Sequence, residues 1–257
     1  MDQICDDLLA ECDALDAVVA SIDEAQWDAP TPAAGWSVRD QISHLWFFDV
    51  REVMALTDPD AFAADMRELF AAGGTEASVA PGRTMSGAAL LQRWREDRAR
   101  LVDIAHTVDP ATRVPWYGPA MAARSAITAR VMETWAHGQD VCDALGATRV
   151  PTARLRHVAH IGVRARPFSY MINGREMPEA PVYVALRGPD GDTWEWGEPG
   201  PDRVEGDALD FCLVVTQRRH VADTSLQVEG AAAVDWIGIA QAFAGEPGGG
   251  RAPGQFT

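Results

Sequence analysis

The periodicity of apolar residues changes once along this chain, at Arg149-Val150-Pro151, and that change constrains the fold more than any other feature. Before it, apolar residues recur at helical spacing in long runs. Ile4, Leu8, Leu9, Cys12, Leu15, Val18, Val19 and Ile22 mark one helix from Gln3 to about Gln26. Ile42, Leu45, Trp46, Val50, Val53 and Met54 mark a second, whose start is set by Ser37, an N-cap with Asp40 three residues on. A third begins after Ser86 and carries Leu90, Leu91, Trp94, Leu101, Val102 and Ile104 to about Thr107. A fourth is expected from near Ala120 to the terminating Gly146, through Ile127, Val131, Trp135, Val141 and Leu145. Four long amphipathic helices predict a four-helix bundle. Residues 57–85, with Asp58-Pro59, Gly73-Gly74 and Pro81-Gly82 around an amphipathic piece, read as an excursion or lid.

After Pro151 the pattern shortens. One helix is expected from Thr152 to about Met171, then a hairpin of Val182–Leu186 with Thr193–Trp196 around the turn Gly188-Pro189-Asp190-Gly191. A strand near Arg203-Val204-Glu205, a helix from Asp207 to about Arg218, a strand at Ser225–Val228 and a helix from Ala231 to Phe243 complete it. The expected class is α+β: a bundle over 1–148, a small α+β domain over 149–246 and a flexible Gly- and Pro-rich tail over 247–257.

Charge narrows the partners. The formal net charge is −16, so nucleic acid and anionic membrane surfaces are expected to be repelled, which leaves a small-molecule substrate. Every basic residue is arginine, which removes lysine Schiff-base chemistry and the Gly-Lys phosphate loop. Cys5, Cys12, Cys142 and Cys212 are scattered without a C-x-x-C pair. With no secretory signal and no apolar run long enough to span a bilayer, this predicts reduced thiols and a cytoplasmic protein.

Chemistry concentrates in Glu133-Thr134-Trp135-Ala136-His137-Gly138-Gln139-Asp140. Glu133 and His137 are four apart and Asp140 three further, so all share one helix face. Such a pair is a surface contact as readily as half a metal site. In a bundle the remaining ligands come from facing helices, and His44 on helix two is the best third candidate; His106 lies at a helix end, and His157, His160 and His220 lie beyond the boundary. Asp140 either orients His137 through its distal nitrogen or faces solvent. Trp36, Trp46, Trp116 and Tyr117 either wall a pocket or belong to the core. Arg218 and Arg219 either clamp a substrate carboxylate or serve the end of their helix.

The segments Pro32-Ala33-Ala34-Gly35-Trp36-Ser37-Val38-Arg39-Asp40-Gln41-Ile42-Ser43-His44-Leu45 and Met132–Val141 resemble the DinB-like metal-binding bundles, in particular the mycothiol-dependent maleylpyruvate isomerase branch. The stretch Asp210–His220 resembles the signature of that branch's sterol-carrier-protein-like C-terminal domain. The resemblance implies His44, Glu133 and His137 as ligands of a divalent metal with water completing the site. Zn2+ is expected first, with Ni2+, Fe2+ or Mn2+ as alternatives. It further implies mycothiol as cosubstrate, bound through sulfur as thiolate for isomerisation of, or S-transfer to, a small electrophile, with a second-domain arginine in the reaction. Three other functions stay open: a Lewis-acid tailoring or cyclisation enzyme of secondary metabolism that uses no thiol, a non-haem iron oxygenase, and a non-catalytic metal-binding module.

Overall fold

A computed structural model describes residues 1–71, 76–118 and 120–256, with no side-chain description at Phe70 and Ala71. Gly73-Gly74 of the expected excursion and Pro119 lie outside the described residues. The chain forms two compact units, Met1–Arg149 and Val150–Thr257.

In the first unit the long helices are α1 (Asp2–Val19), α3 (Val38–Thr57), α6 (Gly87–Thr107) and α7 (Ala123–Leu145). Short helices α2 (Glu24–Trp27), α4 (Pro59–Ala71) and α5 (Glu76–Val79) lie between them. The four-helix bundle is therefore as expected. Its core gathers Ile4, Leu8, Leu15, Ile42, Leu45, Leu90, Trp94, Leu101, Ile127, Val131 and Val141. The Ser37 cap forms as its sequence predicts, its hydroxyl accepting from the Asp40 amide while the Asp40 carboxylate accepts from the Ser37 amide. Gly146 closes α7 in the left-handed conformation at φ 64°.

Two helix boundaries differ from the sequence reading. Helix one ends at Val19, because Asp23 caps the separate turn α2 and its Gln26 side chain returns to the Asp23 amide. Helix four starts at Ala123 and not near Ala120, because β1 (Arg113–Val114) and β2 (Met121–Ala122) pair antiparallel and use the preceding residues as a ladder.

The second unit holds α8 (Leu155–Arg164), α9 (Arg166–Ile172), β3 (Tyr183–Arg187), β4 (Thr193–Trp196), β5 (Arg203–Asp207), α10 (Ala208–Val215), β6 (Gln227–Glu229) and α11 (Ala231–Ile237). Its sheet runs β4-β3-β5-β6, with β3 and β5 parallel and the outer pairs antiparallel. The α+β class and the hairpin agree with expectation. The single helix expected over 152–171 is broken at Ala165, since Pro167 has no amide hydrogen to continue the ladder. The helix expected to run from Asp207 to Arg218 stops at Val215. Gln217 turns left-handed at φ 60°, and the Arg218 and Arg219 amides both return to the Leu213 carbonyl. The two arginines thus follow the helix and are not its last turn. The final helix ends at Ile237, before Gly238. In the tail, Gly248 donates to Gln241 and Gly254 to the Asp223 carboxylate. Among the described residues no helix is long and apolar enough to cross a membrane.

One polar element runs through the bundle core. Arg130 of α7 meets Asp49 of α3 at 2.9 Å, both nearly fully buried; Arg130 also donates to the Leu45 carbonyl, and the Trp94 indole of α6 donates to the other Asp49 oxygen at 3.0 Å. Breaking a buried pair leaves one charge in low dielectric without its partner. Asp49→Ala is therefore expected to lower stability by about 3–5 kcal/mol in urea unfolding. Asp97→Ala, which removes only the half-buried Trp46 partner, should stay within about 1 kcal/mol.

Candidate metal centre

The site lies where α3 faces α7. On α7 the i, i+4 spacing brings His137 Nε2 to 3.3 Å from Glu133 Oε2. From α3 the His44 ring reaches the His137 ring, their centroids 4.5 Å apart. One ligand atom from each of His44, Glu133 and His137 lies within 4.8 Å of the others. His44 is buried, His137 12% and Glu133 22% exposed. Ligands of a single Zn2+-sized ion lie no more than about 4.2 Å apart, so closure asks for sub-ångström side-chain adjustment.

The outward nitrogens of both rings are held, which decides how the inward ones are used. His137 Nδ1 lies 2.5 Å from Gln41 Oε1, while Gln41 Nε2 donates to Thr31 Oγ1 at 2.9 Å. With its amide nitrogen committed to Thr31, Gln41 presents an acceptor to the ring, so His137 Nδ1 is a donor and Nε2 is the nitrogen that faces Glu133. Thr31 Oγ1 in turn donates to the Trp36 carbonyl at 2.9 Å, tying this network to the turn that Gly35 permits at φ 79°. His44 Nδ1 sits 2.8 Å from Ser78 Oγ, which directs its Nε2 the other way. A proton shared between His137 and Glu133 would satisfy those two groups as an ordinary ion pair. A divalent cation would engage His44 together with these two groups. The donor set fits such an ion, and three protein ligands leave a coordination position for solvent or substrate.

Ser78 reaches His44 because the chain there presses onto α3. Ser43 Oγ donates to the Ser78 carbonyl at 2.9 Å and accepts from the Gly82 amide at 3.1 Å. A Cβ on Gly82 would fall 2.5 Å from Ser43 Cβ, so only glycine allows this approach. The excursion expected over 57–85 therefore supplies a partner to His44.

Around the triad stands an aromatic wall. Trp36 lies against both His44 and His137, at 5.0 and 6.0 Å between centroids, and its indole donates to Glu76 at 3.4 Å. Phe48, one turn after His44, touches that ring at 4.7 Å and passes contact on to Trp116 and Tyr117. Phe62 stacks on Trp116 at 5.6 Å. Trp36 thus lies against the two histidines, Trp116 and Tyr117 reach them only through Phe48, and Trp46 packs against the bundle core. Burial pushes the Tyr117 phenol up, so it stays neutral at physiological pH.

Asp140 does not face solvent: it is fully buried on α7, while His137 Nδ1 lies against Gln41. Arg218 is buried in the second unit, donating to the Thr216 carbonyl at 2.6 Å with its guanidinium over Phe243. Arg219 is half-buried over the Phe256 ring. Sequence reasoning missed Gln41 and Ser78. Gln41 had a signal, being three residues before His44 on the same helix; Ser78 had none. Removing a partner of a ligating histidine costs about 10–100-fold in metal affinity. Gln41→Ala is expected to weaken Zn2+ binding by that factor in chelator competition with its thermal unfolding little changed, and Gln41→Glu, which keeps an acceptor, should retain most of it.

The comparisons with known proteins bear on the family and the fold. The mycothiol maleylpyruvate isomerase N-terminal domain family matches residues 8–142. An uncharacterized protein of Mycobacterium tuberculosis, in strain H37Rv and again in strain CDC 1551, is 46% identical over 248 residues, covering 95% of this chain and 96% of the relative. Among solved structures, the crystal structure of the mycothiol-dependent maleylpyruvate isomerase is similar with a TM-score of 0.57 at 17% identity, over 84% of this chain and 89% of that one. A histidine-to-alanine mutant of that isomerase gives 0.59 at 16% identity, over 90% and 95%. At such identity these structures speak for the fold. The family match over more than half its length, on the unit that holds the triad, places this chain in the mycothiol maleylpyruvate isomerase N-terminal domain family.

Proposed function

We propose that the protein is a metal-dependent enzyme that uses mycothiol, as an isomerase or S-transferase, on a small electrophilic substrate. The observation that carries this reading is the convergence of three electron-pair donors with both outward imidazole nitrogens already engaged. A divalent cation, Zn2+ first, supplies there the chemistry of keeping a thiol deprotonated at neutral pH. His44, Glu133 and His137 would hold the ion, with Gln41 and Ser78 fixing the two rings. Trp36, Phe48, Trp116 and Tyr117 limit water at the open side, which strengthens every charge interaction inside.

The chain's own thiols support an external one. Cys5, Cys12, Cys142 and Cys212 are all buried, and burial pushes each of them up, away from the thiolate form. The nucleophilic sulfur in this reading comes from a cosubstrate, and the family match points to mycothiol.

Metal analysis of protein purified without chelator tests the ligand set: the wild type is expected to hold about one divalent ion per chain, and His44→Ala, Glu133→Ala and His137→Ala to lose most of it. Calorimetry then tests the thiol. Mycothiol should bind the metal-loaded wild type and fail to bind after metal removal; no binding to the loaded protein would overturn the proposed function.

A further inference from the structure

Among the described residues, Glu52 is a buried carboxyl whose placement the triad does not explain. It sits on α3 eight residues, or about 12 Å of helix rise, beyond His44, past Phe48. It is 1% exposed, and neither of its carboxyl oxygens has a hydrogen-bond partner among the described residues. A buried carboxyl in that state is costly, and native chains rarely keep one without use. The charges around it are specific. Asp49 stands on its own helix, with Arg98 of α6 near Asp49. Arg130 of α7 acts on it, and the same guanidinium acts on Glu133 of the triad. From the loop before α7, Tyr117 feels both Glu52 and the Arg51–Asp65 pair.

We propose that Glu52 is the proton-exchanging group of this site, losing a proton when a cation enters the triad and regaining one when a thiolate follows. Arg130 is the shared positive charge through which the two ends communicate. Asp49 is committed to Arg130 and to Trp94, whereas the Glu52 oxygens are committed to nothing and are free to change charge without breaking a bond. For thiol entry the balance is simple: the S–H bond breaks, the electron pair stays on sulfur and the proton goes to solvent, while the Glu52 carboxylate takes back from solvent the fraction of a proton that cation entry had removed. Burial, with the Asp49 charge, raises the Glu52 carboxyl to about 7 against the pull of Arg130, so either form is within reach at neutral pH. Glu52 is a positioning group for protons and need not touch the ligand.

The test is a proton count by calorimetry at pH 7 in two buffers of different ionisation enthalpy. Zn2+ alone, titrated into metal-free protein, should release about half a proton more from the wild type than from Glu52→Gln, because Glu52 is then about half protonated. Mycothiol added to the Zn2+-loaded proteins should release about half a proton less from the wild type than from the variant. Equal counts in the Zn2+ arm would overturn the proposal. The thiol arm alone rests on the proposed function: absence of mycothiol binding would sink that function and leave the Zn2+ arm to decide on Glu52. Glutamine matches the neutral acid in shape, so the variant should fold. Should it not, carboxyl 13C NMR of the wild type decides: one glutamate signal must titrate near neutrality and move toward its ionised position on adding Zn2+, and its absence is the contrary result.

Discussion

Three electron-pair donors aimed at one point are the constraint on which the bundle's geometry turns. His44, Glu133 and His137 come from two helices that would otherwise pack through apolar side chains. Bringing them together requires the outward face of each ring to be satisfied, and the chain does so from different places. Gln41 lies one turn upstream on α3 and is held by Thr31; Ser78 arrives on α5, seated by Ser43 and Gly82. Three protein ligands with engaged outward nitrogens form an arrangement suited to an open coordination position, and the family match lies over the same residues.

The polarity of the bundle interior follows the same line. Arg130 lies three residues before Glu133 and ties α7 to α3 through Asp49 and the Leu45 carbonyl, next to His44 in sequence. Fixing those two helices against each other in register fixes the ligands. A wholly apolar interface would be as stable or more so, but would resist sliding less. Glu52 belongs to this buried charge system without sharing its hydrogen bonds, which is why it is the member able to change protonation.

Much of the fold was legible because local rules and tertiary packing agree. The Ser37 cap, the Gly146 stop and the β3–β4 hairpin follow from single residues whose backbone preferences the structure obeys. Disagreement arose where a competing hydrogen-bond pattern claimed residues of helical character. The β1–β2 ladder took the residues before Ala123, Pro167 divided α8 from α9, and the left-handed Gln217 ended α10 before Arg218. The clustering of His44, Glu133 and His137 was legible from the Glu133 to His137 spacing and the family resemblance around His44. Its supporting residues were legible only where helix periodicity reached them: Gln41 shares a face with His44, while Ser78 is brought in by chain reversal that no periodicity records. Asp140 had the right spacing for a supporting role, while His137 Nδ1 lies against Gln41, which comes from the facing helix.

Cobalt substitution tests the central claim most directly, because Co2+ reports its ligands by absorption. The account predicts one Co2+ per chain with the spectrum of two nitrogens, a carboxylate and an exchangeable ligand, and a thiolate-to-cobalt charge-transfer band when mycothiol is added. A protein that binds no Co2+, or one whose bound Co2+ gives a spectrum unchanged by mycothiol, would contradict it.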